Sequence, residues 1–206
     1  MKVSAVILAG GSSERFGKDK GVVKLAGKPL IKHVFERIPK NVNEFVVVVK
    51  SEGQRKAFLP IIGDKSKLII DEYEVSCPLA GALTGFKHVD GNYVLLLPCD
   101  TPFVSTEVLS LLIEICSGKN AVIPRWPNGY IEPLQAVYFR EAASKAADEA
   151  LRLKKFDFRF MISILRGIRY VSTLVLRQID PELLTFFNVN TPMDLKRAEL
   201  ILKKRG

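Results

Sequence analysis

Leu8-Ala-Gly-Gly-Ser-Ser-Glu-Arg-Phe-Gly-Lys-Asp-Lys20 sets three glycines and several basic residues just behind the apolar run Val6-Ile7. Glycine lets backbone N–H groups approach an anion closely, and Arg15 and Lys20 add fixed positive charge. Gly10, Gly11, Arg15 and Lys20 are therefore expected to hold phosphate. The stretch is not a P-loop: five residues, not four, separate Gly11 from Gly17. Asp19 follows Lys18, so the hydroxyl that a P-loop offers to Mg²⁺ is missing. Nor is it G-x-G-x-x-G, because Ser12 and Ser13 follow the glycine pair. It reads as an anion cradle of another type.

Two carboxylates join it. Asp100, flanked by Pro98 and Pro102, ends the apolar run Tyr93–Leu97 and should enter a crevice where Mg²⁺ can neutralise it. Asp71 follows Leu68–Ile70 and reads equally as a site residue or as a turn residue. Cys99 reads as a small packed side chain, since no histidine lies near it. Cys77, Cys99 and Cys116 show no C-x-x-C spacing, and His33 and His88 are far apart, which excludes a zinc-finger pattern and gives no reason for a disulfide. A metal here is expected on carboxylates, which suits Mg²⁺.

The elements that must position these residues alternate. Val3–Ala9, Phe45–Val49, Leu68–Ile70 and Tyr93–Leu97 read as buried strands. Between them, Pro29 and Pro78 open helices, Glu52–Leu59 forms a helix ended by Pro60, and Ser105 caps a helix to about Cys116. In the second half, Ala121–Pro124 and Leu134–Phe139 read as strands, Arg140–Lys154 and Phe156–Leu165 as helices, Arg169–Val175 and Phe186–Val189 as extended, and Pro192 opens a last helix. Such alternation predicts an α/β fold: a single-domain, Rossmann-like, mostly parallel sheet with helices on both faces. In such sheets ligands sit beyond the carboxyl ends of the strands, where the Gly10–Lys20 loop, Asp71 and Asp100 all fall.

The chain has 206 residues with no internal repeat or linker, which predicts one domain, with about 1–118 and 119–206 as its halves. A charge of +9 suits anionic ligands or a solvated surface. No basic stripe interleaved with aromatics is present, and no apolar run approaches the roughly 18 residues of a membrane span, so neither nucleic acid nor membrane is expected as a partner. A cytoplasmic location is the expectation.

The motifs together resemble the molybdenum cofactor guanylyltransferases of the MobA type. Residues 8–20 match L-A-G-G-x-S-x-R-x-G-x-D-K. Gly27–Leu30 matches G-K-P-L, Pro78–Gly81 lies in G-P-L-A-G, Cys99–Phe103 matches C-D-x-P-F, Glu132–Tyr138 carries P-L-x-A-x-Y, and Phe187–Leu195 carries N-x-N-T-P-x-D-L. Two departures stand out: Cys77 replaces a Gly, and Lys50-Ser51 replaces an Asn. The resemblance implies a nucleotide-diphospho-sugar-transferase-like fold and Mg²⁺-dependent transfer of GMP from GTP to molybdopterin, with or without its molybdenum, releasing pyrophosphate. It implies Arg15, Lys20 and Asp100 as the catalytic set, with Asp100 on the metal. Leu8, Ala9, Gly10, Gly11, Lys20, Asp71, Pro78, Leu79 and Asp100 would hold the nucleotide, and Tyr138, Asn188 and Asn190 the acceptor. Other molybdenum cofactor biosynthesis proteins or acceptor molybdoenzymes are further partners it suggests. The alternatives on the same fold are a cytidylyltransferase for the same cofactor, a guanylyltransferase for cobinamide phosphate or phospholactate, a sugar-phosphate nucleotidyltransferase, and a non-catalytic nucleotide-binding regulator. Gly10 and the Pro78–Gly81 segment favour GTP.

Overall fold

The computed structural model describes residues 1–11, 16, 19–63 and 66–205. Arg15 lies outside the described residues, so its expected phosphate contact is not placed. In chain order the elements are β1 (Val3–Leu8), the short hairpin β2 (Lys24–Leu25) and β3 (Lys28–Pro29), α1 (Leu30–Phe35), β4 (Glu44–Val49), α2 (Glu52–Ile62), β5 (Lys67–Ile70), α3 (Pro78–Lys87), β6 (Tyr93–Pro98) and α4 (Thr106–Glu114). The second half adds β7 (Ala121–Arg125), β8 (Ala136–Phe139), α5 (Arg140–Arg152), α6 (Phe158–Ile164), β9 (Ile168–Ser172), α7 (Thr173–Leu176) and α8 (Pro192–Arg205).

Seven strands form one sheet in the order β5-β4-β1-β6-β8-β7-β9. Every pairing is parallel except the two made by β8, which runs against its neighbours β6 and β7. β1 is an inner strand, apolar apart from Ser4 because both of its faces are covered. Ala5 and Ile7 point to the layer of α1, α2 and α4, and Val6 points to the layer of α3, α5 and α6. Gly85 brings α3 onto β1: a methyl there would fall 2.3 Å from Val6 Cγ1. A third apolar cluster of Val23, Leu25, Leu30, Phe103, Leu184, Val189 and Ala198 ties the hairpin, the segment after β6 and α8 together.

The structure differs from the sequence reading in three places. Pro60 does not end α2, which continues to Ile62 and stops at Gly63, where φ is +62°. Exposure of that turn leaves water to satisfy the carbonyl that a proline N–H cannot reach. The extended run expected through Val175 stops at Ser172, whose hydroxyl accepts the N–H of Leu174 and starts α7. Leu184–Phe186 is a 3₁₀ turn, and only the residues after it extend along the crevice.

Candidate active site

A cavity of about 490 Å³ opens at the carboxyl ends of the parallel strands. The sheet order sets out its walls from one end to the other. Asp71 follows β5, Lys50 follows β4, Gly10 and Gly11 follow β1, and Asp100 follows β6. Beyond them Glu132, Pro133, Leu134 and Gln135 precede β8, which points the other way.

Lys20 and Asp100 meet in the middle. Lys20 Nζ lies 3.2 Å from Asp100 Oδ2 and donates to Asn190 Oδ1 at 2.5 Å. Asp100 is only 9% exposed, and this burial pushes its carboxyl pKa above the ordinary value, with Lys20 opposing the shift. Backbone packing places Lys20. A methyl on Gly21 would come within 2.6 Å of the Phe58 ring, so only glycine lets the segment settle there. Gln54, buried on α2, fixes the same segment: its Nε2 donates to Asp19 Oδ1 at 2.6 Å and its Oε1 accepts the Lys50 N–H at 2.6 Å. Cys99 packs beneath as expected, and burial first, then the Asp100 charge, push its thiol pKa well up, away from nucleophilic use.

On the nucleotide side expected from the motifs, Leu8, Gly10, Gly11 and Pro78 line the cavity. A methyl on Gly10 would crowd the Lys50 backbone nitrogen at 3.3 Å, whereas around Gly11 there is open space. Asp71 Oδ1 accepts from Thr84 Oγ1 at 2.9 Å and from the Tyr73 N–H at 3.2 Å, while Oδ2 faces Lys50 Nζ at 3.8 Å. Asp71 is thus both a brace for the 71–77 segment and a wall of the cavity. Lys50, where an Asn was expected, also donates to the carbonyls of Tyr73 and Val75. Cys77 has φ −144° and ψ 152°, a conformation open to any residue, so the missing glycine leaves no backbone strain.

Three expected contacts need correction. Ala9 and Leu79 are buried, the Ala9 N–H is spent on Val48 O, and neither residue lines the cavity. Tyr138 is fully buried in the core and its hydroxyl donates to Pro133 O at 2.8 Å, so it cannot touch an acceptor. β8 is covered on both faces, which takes an inward-facing tyrosine out of reach. Asn188 and Asn190 do line the cavity, because Val189 between them is buried and its N–H donates to Asp100 O at 2.9 Å. Sequence reasoning missed Gln54 and Glu132. Glu132 carried the only local signal, a lone acidic residue at the head of a motif that does not specify it.

Among the described residues no group of three or more histidine, cysteine or carboxylate side chains forms a metal cage. The residues nevertheless fit a hard divalent cation of the kind that nucleotidyltransferases generally use. Asp100 and the Asn190 amide oxygen converge on one point, already held by the Lys20 ammonium. One carboxylate with neutral oxygens and substrate phosphates is the donor set that such a cation takes beside nucleotides.

A mostly parallel sheet with a glycine-rich loop after its first strand and a lysine–carboxylate pair at the crevice floor defines a nucleotidyltransferase. The chain belongs to the MobA-like NTP transferase family, whose model matches residues 5–163. It is 35% identical to a probable molybdenum cofactor guanylyltransferase of Pyrococcus horikoshii, over 95% of this chain and 98% of that one. A probable enzyme of the same name from Methanosarcina mazei is 29% identical over 94% of this chain and 88% of its own. Among solved structures, molybdopterin-guanine dinucleotide biosynthesis protein A from Archaeoglobus fulgidus superposes with a TM-score of 0.82 at 33% identity, covering 99% of this chain and 100% of that one. The 2-C-methyl-D-erythritol 4-phosphate cytidylyltransferase of Thermus thermophilus shares the fold at 17% identity and a TM-score of 0.73, covering 98% and 100%.

Proposed function

We propose that the chain transfers GMP from GTP to the phosphate of molybdopterin, with or without bound molybdenum, and releases pyrophosphate. The observation that supports this most directly is the Lys20–Asp100–Asn190 contact in mid-crevice, in a chain whose relatives are named for this reaction. An acceptor phosphate oxygen attacks the α-phosphorus of GTP in line, a new P–O bond forms, and the bond to the β-phosphate oxygen breaks. The attacking phosphate is already ionised near neutral pH, so the chain needs no general base. Its work is positioning and electrostatic stabilisation.

Gly10 and Gly11 present backbone N–H groups to the phosphates, with Arg15 and Lys20 adding charge. When the nucleotide enters, the Lys20 ammonium leaves Asp100 for phosphate oxygens. Asp100 and Asn190 would then hold Mg²⁺, which would supply charge neutralisation for the substrate phosphates. Asp71 and Pro78 stand at the nucleoside end. Asn188, with the 132–135 segment, stands at the acceptor end, so the two halves of the chain divide the substrates. No helix of the described residues is long and apolar enough to cross a membrane. We place the reaction between dissolved cytoplasmic substrates, fed and drained by other cofactor-handling proteins.

The test is pyrophosphate release with each of the four NTPs, with and without molybdopterin. Release that needs both GTP and molybdopterin is expected. Preference for CTP would move the chain to the cytidylyl branch, and release with a sugar phosphate in place of molybdopterin would replace this reading.

A further inference from the structure

Glu132 is anomalous where it stands. It lines the cavity in a strongly basic chain, yet among the described residues it has no ion-pair partner. Burial raises its carboxyl pKa, and the one group opposing that rise is the Trp126 indole N–H, which donates to Oε1 at 2.6 Å. Oε2 accepts from no described group. Oε2 stays open to solvent, so water hydrates it until a ligand supplies donors in its place.

The carboxylate is also firmly aimed. Its own N–H donates to Pro124 O at 2.9 Å, and the carbonyl of the next residue, Pro133, accepts the buried Tyr138 hydroxyl at 2.8 Å. Trp126 is set in turn by the edge of the Phe186 ring, with centroids 5.7 Å apart. Such bracing leaves the carboxylate little freedom to turn.

An anionic oxygen in this place repels phosphate, so it must meet an uncharged, donor-rich part of a ligand. We infer that Glu132 recognises the acceptor's ring, its carboxylate accepting hydrogen bonds from the adjacent ring N–H and exocyclic amino group of a 2-amino-4-oxo heterocycle such as a pterin. The assignment rests on the proposed transfer to molybdopterin. Guanine carries the same pair of donors, and position separates the two rings. Glu132 precedes β8, on the far side of the Lys20–Asp100 pair from Asp71 and Lys50, where the nucleoside is expected. Each ring then has its own end of the crevice.

The test uses free pterin and lumazine, its analogue with oxygen in place of the amino group, each titrated by its own fluorescence against the intact chain. Pterin should bind about ten-fold or more tightly than lumazine, the worth of a hydrogen bond to a charged group. Glu132→Gln, which keeps an oxygen for Trp126 but presents an amide to the ring, should lose that preference. Its preference for GTP over ITP, read by calorimetry, should match the parent's. Should Glu132→Gln fail to fold, Glu132→Asp is read instead, and should lose most of the pterin preference. Equal binding of pterin and lumazine by the parent overturns the assignment, as does a preference that survives substitution. Loss of the GTP preference over ITP places Glu132 on the nucleotide instead. The proposed reaction is judged separately by pyrophosphate release, which these titrations do not use.

Discussion

At the scale of single residues, Asp100 is held in a state that costs stability, as the metal-holding role proposed for it would explain. Burial raises its pKa, so the ionised form is disfavoured in the folded chain until a cation compensates it. Asp100→Asn should therefore leave the melting temperature of the free chain unchanged or higher, while pyrophosphate release falls by about two orders of magnitude or more. A scanning melt and a release assay on the same preparation check both signs. Lys20→Met removes the counter-charge and the proposed phosphate contact together, and GTP affinity by calorimetry should drop about ten-fold or more. Gly10 and Asp100 were legible because each follows an apolar run, Lys20 because it is a fixed charge in the glycine-rich loop, and all three have the chemistry for one obvious task. Gln54 and Glu132 were not, because their meaning lies in partners or walls that only folding supplies. Tyr138 misled because a polar tip on a strand looks available until the strand is known to be covered on both faces.

At the scale of elements, the start of α8 controls the crevice. Thr191 Oγ1 accepts the Asp194 N–H at 3.1 Å, and Asp194 Oδ2 accepts the N–H groups of Thr191 at 2.9 Å and Asn190 at 3.1 Å. This reciprocal cap fixes the backbone that aims Asn190 at Lys20. Asp194→Ala should cost about 1 kcal/mol of stability by chemical denaturation. It should also slow turnover several-fold, although Asp194 does not line the cavity. Unchanged turnover would mean that Asn190 is held by Val189 alone. The strands and their alternation with helices were readable, since runs buried on both faces carry an unbroken apolar signal. The ends of elements were less so. Pro60 sits in an exposed turn that tolerates it, and α7 begins where a serine hydroxyl caps a segment whose β-branched residues promised a strand.

At the scale of the whole molecule, the two edges of the sheet have different duties. Opposite the crevice, at the amino ends of the strands, Glu44 binds the Ser4 hydroxyl, the Asp90 N–H at 2.9 Å and Lys67 Nζ at 3.0 Å. Burial works to raise its pKa, but these bonds prevail and bring it from 4.5 down to about 2. A lowered carboxyl pKa adds stability that is complete above the unfolded value and disappears as pH falls through the folded one. Glu44 should therefore contribute on the order of 2–3 kcal/mol near neutrality, lost between about pH 4.5 and 2. Glu44→Gln should flatten that limb of a stability–pH curve without altering GTP affinity. At the crevice edge the direction of β8 matters most. Because it runs against its neighbours, the far wall is built by a surface loop entering a strand, not by the fixed ends of parallel strands. Loops of that kind lengthen, shorten and change composition without disturbing the sheet they join. On the proposed reading the sheet fixes the nucleotide end and this loop sets the acceptor end, so that changes within residues 126–135 should alter which acceptor is used while the donor machinery stays as it is.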